Sequence, residues 1–355
     1  MRLFLCFFLS TIFFACTSEN QPASQEKKLK KEQFIGETMG TTLSISYLDS
    51  MEMDFSVELS DLLIEINNSV STYIETSEIS IFNHEKDSLH VASDSHFARN
   101  YNLAKQIYQQ TNGWFNPSVM PLVNYWGFGY TEKKMVEQSD SLAIKNLVAL
   151  VQFDSIKMQN SAPNQLLFTK RIKGLELDFS AIAKGDAVDQ VGLLLESFGI
   201  NNYFVEIGGE VRARGATISG FNWRTGIRSP KESNATKELQ VAVQLPNLSL
   251  ATSGNYENYY EDKNTGMKYA HTINPKTGYP EKNRLLSASV FAPNCSTADA
   301  FATAFMAMGL DKAFALASTL PELEAYFIYS AEDGALQIKY TPKVEAFMKI
   351  SKQEE

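Results

Sequence analysis

Hydrophobic positions along this chain change period several times, and each change marks an element. After Met39-Gly40-Thr41-Thr42 the residues Leu43, Ile45 and Tyr47 alternate with polar ones, which predicts a strand over 34–47 entered through a glycine turn. Phe55, Leu59, Leu62, Leu63 and Ile66 then follow helical spacing over 55–70. Phe97, Tyr101, Ala104, Ile107 and Tyr108 repeat it before Asn112-Gly113. A helical stretch near 141–153 and some short strands lead into 174–215, the segment on which the rest is organised. There Leu175, Leu177 and Phe179 alternate with Glu176 and Asp178, the pattern of a half-buried strand ending in a carboxylate. From Ala187 the period turns helical through Val188, Val191, Leu194, Leu195 and Phe198, with Gly199 where a C-cap glycine belongs. Tyr203, Phe204, Val205 and Ile207 read as a strand stopped by Gly208-Gly209. Further on, 223–227, 239–245 and 286–291 read as strands and 250–256 as a polar turn after an apolar edge. The pattern over 270–278 is a strand, then a turn fixed by Pro275 and Gly278. A helix capped by hydroxyls starts at Ser296, and a short helix and strands at 326–329 and 336–340 follow.

Residues 1–16 are one arginine followed by an apolar run, too short to span a bilayer stably and shaped like a secretory leader. The run ends Phe-Phe-Ala-Cys, which resembles a bacterial lipoprotein processing site with Cys16 as the lipidated first residue. A plain leader cut nearby is the other reading. Residues 17–33 lack periodicity and read as a flexible tether. Without residues 1–15 the chain keeps 31 basic against 41 acidic residues, a net charge of −10, which argues against nucleic acid or an anionic lipid surface as a main partner. Once Cys6 and Cys16 are assigned only Cys295 remains, so no disulfide holds the fold and the 44% of hydrophobic residues must supply the core. No Cys/His cluster suggests zinc or haem.

Chemistry concentrates in four places. The strand–helix–strand unit predicts a helix N-terminus opening near 183–186, where free N–H groups and the dipole favour an anion and Gly185 permits close approach. Lys184 is misplaced there for helix stability and suited to a phosphate, unless it is simply solvated. Asp178 at the strand end serves either as a turn acceptor or as a ligand contact. In 114–130, aromatic residues separated by glycines make no helix face; they form either a loop whose rings plug a core or a flat surface at Trp126, Gly127 and Phe128 for a planar ligand. Asp299 and Thr303 stand four apart on one helix and so share a face. They suit Mg²⁺, which takes few protein oxygens and completes its shell with phosphate and water; the alternative is a helix cap and a hydroxyl bonded to its own helix.

The order of these motifs resembles the FAD:protein FMN transferases, the ApbE family. The resemblance rests on Met39-Gly40-Thr41, Ser71-Thr72-Tyr73 with Ser77-Glu78-Ile79, and Pro121-Leu122-Val123 with Trp126-Gly127-Phe128. It continues through Leu177-Asp178 with Ala181-Ile182-Ala183-Lys184-Gly185, Ile207-Gly208-Gly209, Thr252-Ser253-Gly254, His271 with Pro275 and Gly278, and Ala298-Asp299-Ala300 with Thr303. It covers residues 34 to about 309. It implies an α+β fold of antiparallel sheets flanked by helices, in two lobes of one catalytic unit with FAD between them. The corresponding organisation is a lipoprotein leader over 1–15, Cys16 and a tether to 33, and a flavin transferase domain over 34–352. By resemblance, FAD is the substrate, FMN moves onto a threonine or serine hydroxyl of an acceptor protein, and AMP leaves. Met39, Tyr73, Trp126, Gly127, Phe128, Asp178, Lys184 and Ile273 match FAD-contacting positions. Ala181 and Ala302, through their backbones, match Mg²⁺ positions together with Asp299 and Thr303, and His271 matches a catalytic histidine. The implied partners are acceptor flavoproteins of envelope respiratory complexes, with the enzyme held outside the cytoplasm on the membrane through its N-terminal lipid alone. The family often has Asp where this chain has Asn116, Asn255 and Asn274; an amide cannot titrate, so none of the three is given a catalytic role.

Overall fold

The computed structural model describes residues 29–85, 87–131, 139–230, 239–255, 259–261 and 268–348. The leader, Cys16 and most of the tether lie outside the described residues. A hairpin of β1 (Lys30–Thr38) and β2 (Thr41–Asp49) opens the fold, followed by α1 (Ser56–Val70), the single turn α2 (Glu78–Ser80), β3 (Ser88–Ala92) and α3 (His96–Gln110). The short α4 (Met120–Tyr125) and α5 (Ser141–Val148) precede a hairpin of β4 (Lys157–Ala162) and β5 (Gln165–Thr169). Next come α6 (Ser180–Ser197), the hairpin β6 (Tyr203–Ile207) and β7 (Glu210–Arg214), and the hairpin β8 (Trp223–Arg228) and β9 (Leu239–Leu245). The chain continues with β10 (Ser249–Gly254), the ribbon β11 (Tyr259–Glu261) and β12 (Lys268–Ala270), β13 (Leu285–Ala292), α7 (Cys295–Met308), α8 (Leu310–Ala317), β14 (Glu324–Ser330), β15 (Leu336–Tyr340) and α9 (Val344–Met348).

Eight strands form one antiparallel sheet in the order β1-β2-β6-β7-β10-β13-β14-β15. Alternation along its strands builds two cores. Ala325 and Phe327 of β14 face a large cluster with Leu59 of α1, Phe97 of α3, Val188 of α6 and Phe305 of α7. Tyr326 and Ile328 face the opposite side, where Trp223, Ile227, Val243 and Leu245 of the β8–β9 hairpin cover the sheet. A third, small cluster joins Leu122 and Trp126 near α4 to Ile144 of α5 and to Ile273. The expected α+β class with antiparallel sheets and flanking helices therefore holds.

Four local expectations are corrected. The first strand begins at Lys30, because β2 pairs with it back to Asp49, so 30–33 is not tether. Residues 250–254 are a central strand, not a polar turn: β10 is hydrogen-bonded to β7 and β13, and its polar Thr252 meets Ser289 across the sheet at 2.8 Å. Leu175, Leu177 and Phe179 are buried in alternation as anticipated, yet they belong to no sheet. The Asn83 side chain stands in for a neighbouring strand there, accepting from Leu177 N–H at 2.7 Å and donating to Leu177 O at 2.8 Å. Finally, α6 starts at Ser180, seven residues before the apolar period becomes legible, because its first turns carry small residues packed on α7.

Candidate active site

Strand register gathers one end of the central sheet. Met39 and Gly40, both at positive φ, turn β1 into β2, and Gly208 and Gly209, also at positive φ, turn β6 into β7. The two turns touch: Gly208 N–H donates to Thr42 O at 3.0 Å, and a Cβ on Gly208 would lie 2.7 Å from Thr41 Cγ2. The pairing of Val211 with Leu250 brings the Ser253–Gly254 end of β10 to the same edge. Over this edge lies the start of α6, packed on α7.

The approach of those two helices fixes the charged groups. A Cβ on Gly185 would sit 2.5 Å from Cys295 O and 2.6 Å from Ser296 Cα, so only glycine permits the crossing. Gly185 is thus committed to helix packing, not to a phosphate, and its N–H donates to Asp299 Oδ2 at 3.1 Å. In a helix that N–H also faces the carbonyl four residues back, which is Ala181. The Ala181 carbonyl and the Asp299 carboxylate therefore converge on one N–H. One turn along α7, Thr303 Oγ1 lies 3.1 Å from Ser253 Oγ of β10. Ala302, on the same turn, is fully buried.

Lys184 does not occupy an open helix N-terminus. It is the fifth residue of α6, and its Nζ reaches 2.6 Å from Glu210 Oε1 at the first position of β7. Asp299 and Glu210 are 3% and 4% exposed. Burial alone would lower the Lys184 ammonium, but Asp299 and Glu210 together outweigh it and hold its pKa above the ordinary value. Burial, opposed by Lys184 and reinforced by Asp299, pushes the Glu210 carboxyl up to about 7. Burial likewise raises Asp299, against Lys184 and the Gly185 N–H. Glu210 Oε2 is buried with no hydrogen-bond partner. The sequence held no signal for the Lys184–Glu210 pair beyond an acid placed directly after a Gly-Gly turn.

The α7 terminus departs from the expected hydroxyl cap. Asp189 of α6 accepts from Cys295 N–H and Ser296 N–H at 2.9 Å each and from Ser296 Oγ at 2.8 Å, while Arg212 Nη1 donates to it at 2.8 Å. Asp299 is therefore free of the capping role. Asp178 does act as a turn acceptor, taking Ser180 N–H at 2.8 Å and Ser180 Oγ at 2.9 Å. Burial still outweighs these bonds and pushes its carboxyl above the usual range.

His271 connects to the same edge through its neighbour. Thr272 Oγ1 donates to Asn255 Oδ1 at 2.8 Å, two residues after Ser253. The Phe128 ring meets the His271 ring edge-on at 6.4 Å between centroids. The segment before Phe128 is no loop: α4 occupies Met120–Tyr125, and Trp126 is 1% exposed with its Nε1–H donating to Gly278 O at 2.7 Å. Its indole face is core, shared with Ile273, so the flat-surface reading does not apply to that ring. Gly127 and Phe128 are partly buried. Tyr73 is 73% exposed in the turn after α1, and no described contact ties it to Lys184 or Asp299. The three asparagines serve structure: Asn116 Oδ1 accepts from Ser118 N–H, Asn255 holds Thr272, and Asn274 Oδ1 accepts from Lys276 and Thr277 N–H.

A sequence model of the ApbE family matches residues 39–327. A Haemophilus influenzae protein described as FAD:protein FMN transferase is 34% identical over 341 residues, 94% of this chain and 95% of its own length. Its Vibrio cholerae counterpart is 35% identical over 316 residues, 88% of this chain and 91% of its own length. Among solved structures, the Vibrio cholerae flavin transferase ApbE superposes with a TM-score of 0.78 at 32% identity, over 90% of this chain and 99% of that one. The apo form of the Pseudomonas stutzeri flavinyl transferase ApbE gives 0.78 at 28% identity, over 91% and 98%. Fold, motif order and relatives that match along nearly the whole length agree: the chain belongs to the ApbE family.

Proposed function

We propose that this chain is an FAD:protein FMN transferase that moves FMN from FAD to a threonine or serine hydroxyl of an acceptor protein and releases AMP. The observation that carries the reading is the convergence of Lys184, Asp299 and Thr303 at one sheet end, with His271 beside Thr272, whose hydroxyl bonds Asn255 two residues beyond Ser253. Among the described residues no three His, Cys, Asp or Glu side chains stand together as a metal cluster. The donor set nevertheless fits Mg²⁺, a hard cation content with one carboxylate, a hydroxyl and backbone carbonyls. Asp299 Oδ2 is engaged by Gly185, while Oδ1 accepts no hydrogen bond from the described residues. Asp299, Thr303 and the backbone oxygens of Ala181 and Ala302 would hold the ion, which supplies positive charge to the phosphate oxygens as the pyrophosphate bond breaks.

The chain's own groups do the rest. Lys184 binds a phosphate oxygen and stabilises the negative charge that develops there. By the family resemblance, Met39, Phe128, Asp178 and Ile273 would contact the rest of the dinucleotide. The acceptor hydroxyl attacks the phosphorus on the flavin side, the bond to the AMP phosphate breaks, and His271 takes the hydroxyl proton. The test is incubation with FAD, Mg²⁺ and a threonine-bearing acceptor peptide. Covalent yellow fluorescence on the peptide together with AMP is expected, with loss of about 10²-fold or more in Asp299→Ala. Free FMN with an unlabelled peptide would identify a pyrophosphatase instead, and stable FAD without AMP a binding protein.

The apolar leader ending at Cys16 supports export and a lipid anchor, with acceptors among envelope respiratory flavoproteins. Among the described residues no helix is long and apolar enough to cross a membrane. Cys16→Ser should move the protein from the membrane to the soluble fraction of fractionated cells; unchanged membrane retention would reject the lipid.

A further inference from the structure

Glu210 is a buried charge that the transfer chemistry leaves unused. The Gly208–Gly209 turn delivers it to the first position of β7, where it faces α6 with Oε1 on Lys184 and Oε2 without a partner. Lys184 stands under the influence of two carboxylates, Glu210 and Asp299, yet among the described residues it forms an ion pair with Glu210 only. That choice matters for the Asp299 oxygen left open. An ammonium on a flexible four-carbon stem closes onto whichever carboxylate it can reach, and one closed onto Asp299 would compete with any cation there. We propose that Glu210 is a positioning residue that holds the Lys184 ammonium off Asp299 and so keeps the Asp299 carboxylate available to a divalent cation. The lysine then meets the phosphate from the Glu210 side and the cation meets it from the Asp299 side, so two positive charges act on one diphosphate without neutralising each other's anchor. This rests on the reading of Asp299 as a cation ligand.

Mn²⁺ binding to the flavin-free full chain, read from the paramagnetic signal of the unbound ion, tests it without any turnover. Glu210→Gln keeps size and hydrogen bonding but removes the charge, and should weaken Mn²⁺ binding about tenfold or more. Lys184→Met alone should change it by less than about threefold, since the ammonium is already held away, and the double variant should return to within about threefold of the parent. Unchanged binding in Glu210→Gln overturns the proposal. So does a double variant that stays weak, which would make Glu210 a ligand itself. It is also overturned if Lys184→Met alone tightens binding as much as it rescues Glu210→Gln, which is the signature of net charge only. A parent chain that binds no Mn²⁺ would sink the cation reading of Asp299, and this inference with it. Should Glu210→Gln not fold, Glu210→Asp, one methylene too short for the 2.6 Å contact, takes its place with the same expectations.

Discussion

His271, beside the Phe128 ring and next to the Thr272–Asn255 bond, is proposed as the proton acceptor of the transfer, with a ligand contact as the other role open to it. The two roles separate kinetically. As a base it contributes ~10²–10⁴-fold, so His271→Ala should lower transfer at saturating FAD by that factor. FAD affinity, read by flavin fluorescence, should stay within about threefold. Equal losses in both would make it a binding residue. Single residues also show the limits of spacing as a guide. Asp299 and Thr303 were legible because four residues along a helix return to one face whatever surrounds it. Trp126 was not, because an aromatic beside glycine looks the same whether its ring faces a ligand or fills a core. The bond of its indole to Gly278, 152 positions away, settles the ring's place.

At the scale of elements, the α6–α7 crossing carries the site. It is fixed by Gly185 against Cys295 and Ser296, and by Asp189, which caps α7 from α6 while accepting from Arg212. A methyl at Gly185 meets backbone on the other helix, which cannot swing aside as a side chain would. Gly185→Ala should therefore cost about 1–3 kcal/mol or more in denaturant unfolding. It should also reduce transfer by parting Asp299 from Ala181. Full stability with full activity would show that the helices do not need this approach. The start of α6 was misplaced in the sequence because Ala181, Ala183 and Gly185 give no amphipathic period; their smallness serves a neighbouring helix. β10 was hidden for a related reason, since a central strand whose polar side chains bond across the sheet does not alternate in hydrophobicity.

For the whole molecule, burial of phenols in the large core sets an alkaline limit. Burial, reinforced by nearby charge, pushes Tyr101 up to about 12, and burial with the Glu196 bond does the same for Tyr203. In the unfolded chain both ionise near 10. An acid whose folded pKa lies above its unfolded value keeps its full contribution below about 10. Stability is then lost as pH rises from about 10 to 12, by roughly 2–3 kcal/mol per residue. Denaturant midpoints measured across that window should fall. Tyr101→Phe, which loses only the hydroxyl bond to Ile156 O, should fall less steeply. A slope identical to the parent would mean that Tyr101 ionises elsewhere.

The sequence by itself determined most of the helices and strands through their periodicity, and its motif order carried the family resemblance that implies the antiparallel α+β class and names most charged groups of the candidate site. Periodicity and turn residues act over neighbours a few positions apart, and the order of short motifs survives without coordinates. Only the tertiary structure decided which of those groups meet. The pairing of Lys184 with Glu210, the Asp189 cap on α7 and the burial of Trp126 join residues tens to hundreds of positions apart. Such contacts depend on register and on the closeness of two helix axes, quantities that no local run of residues encodes.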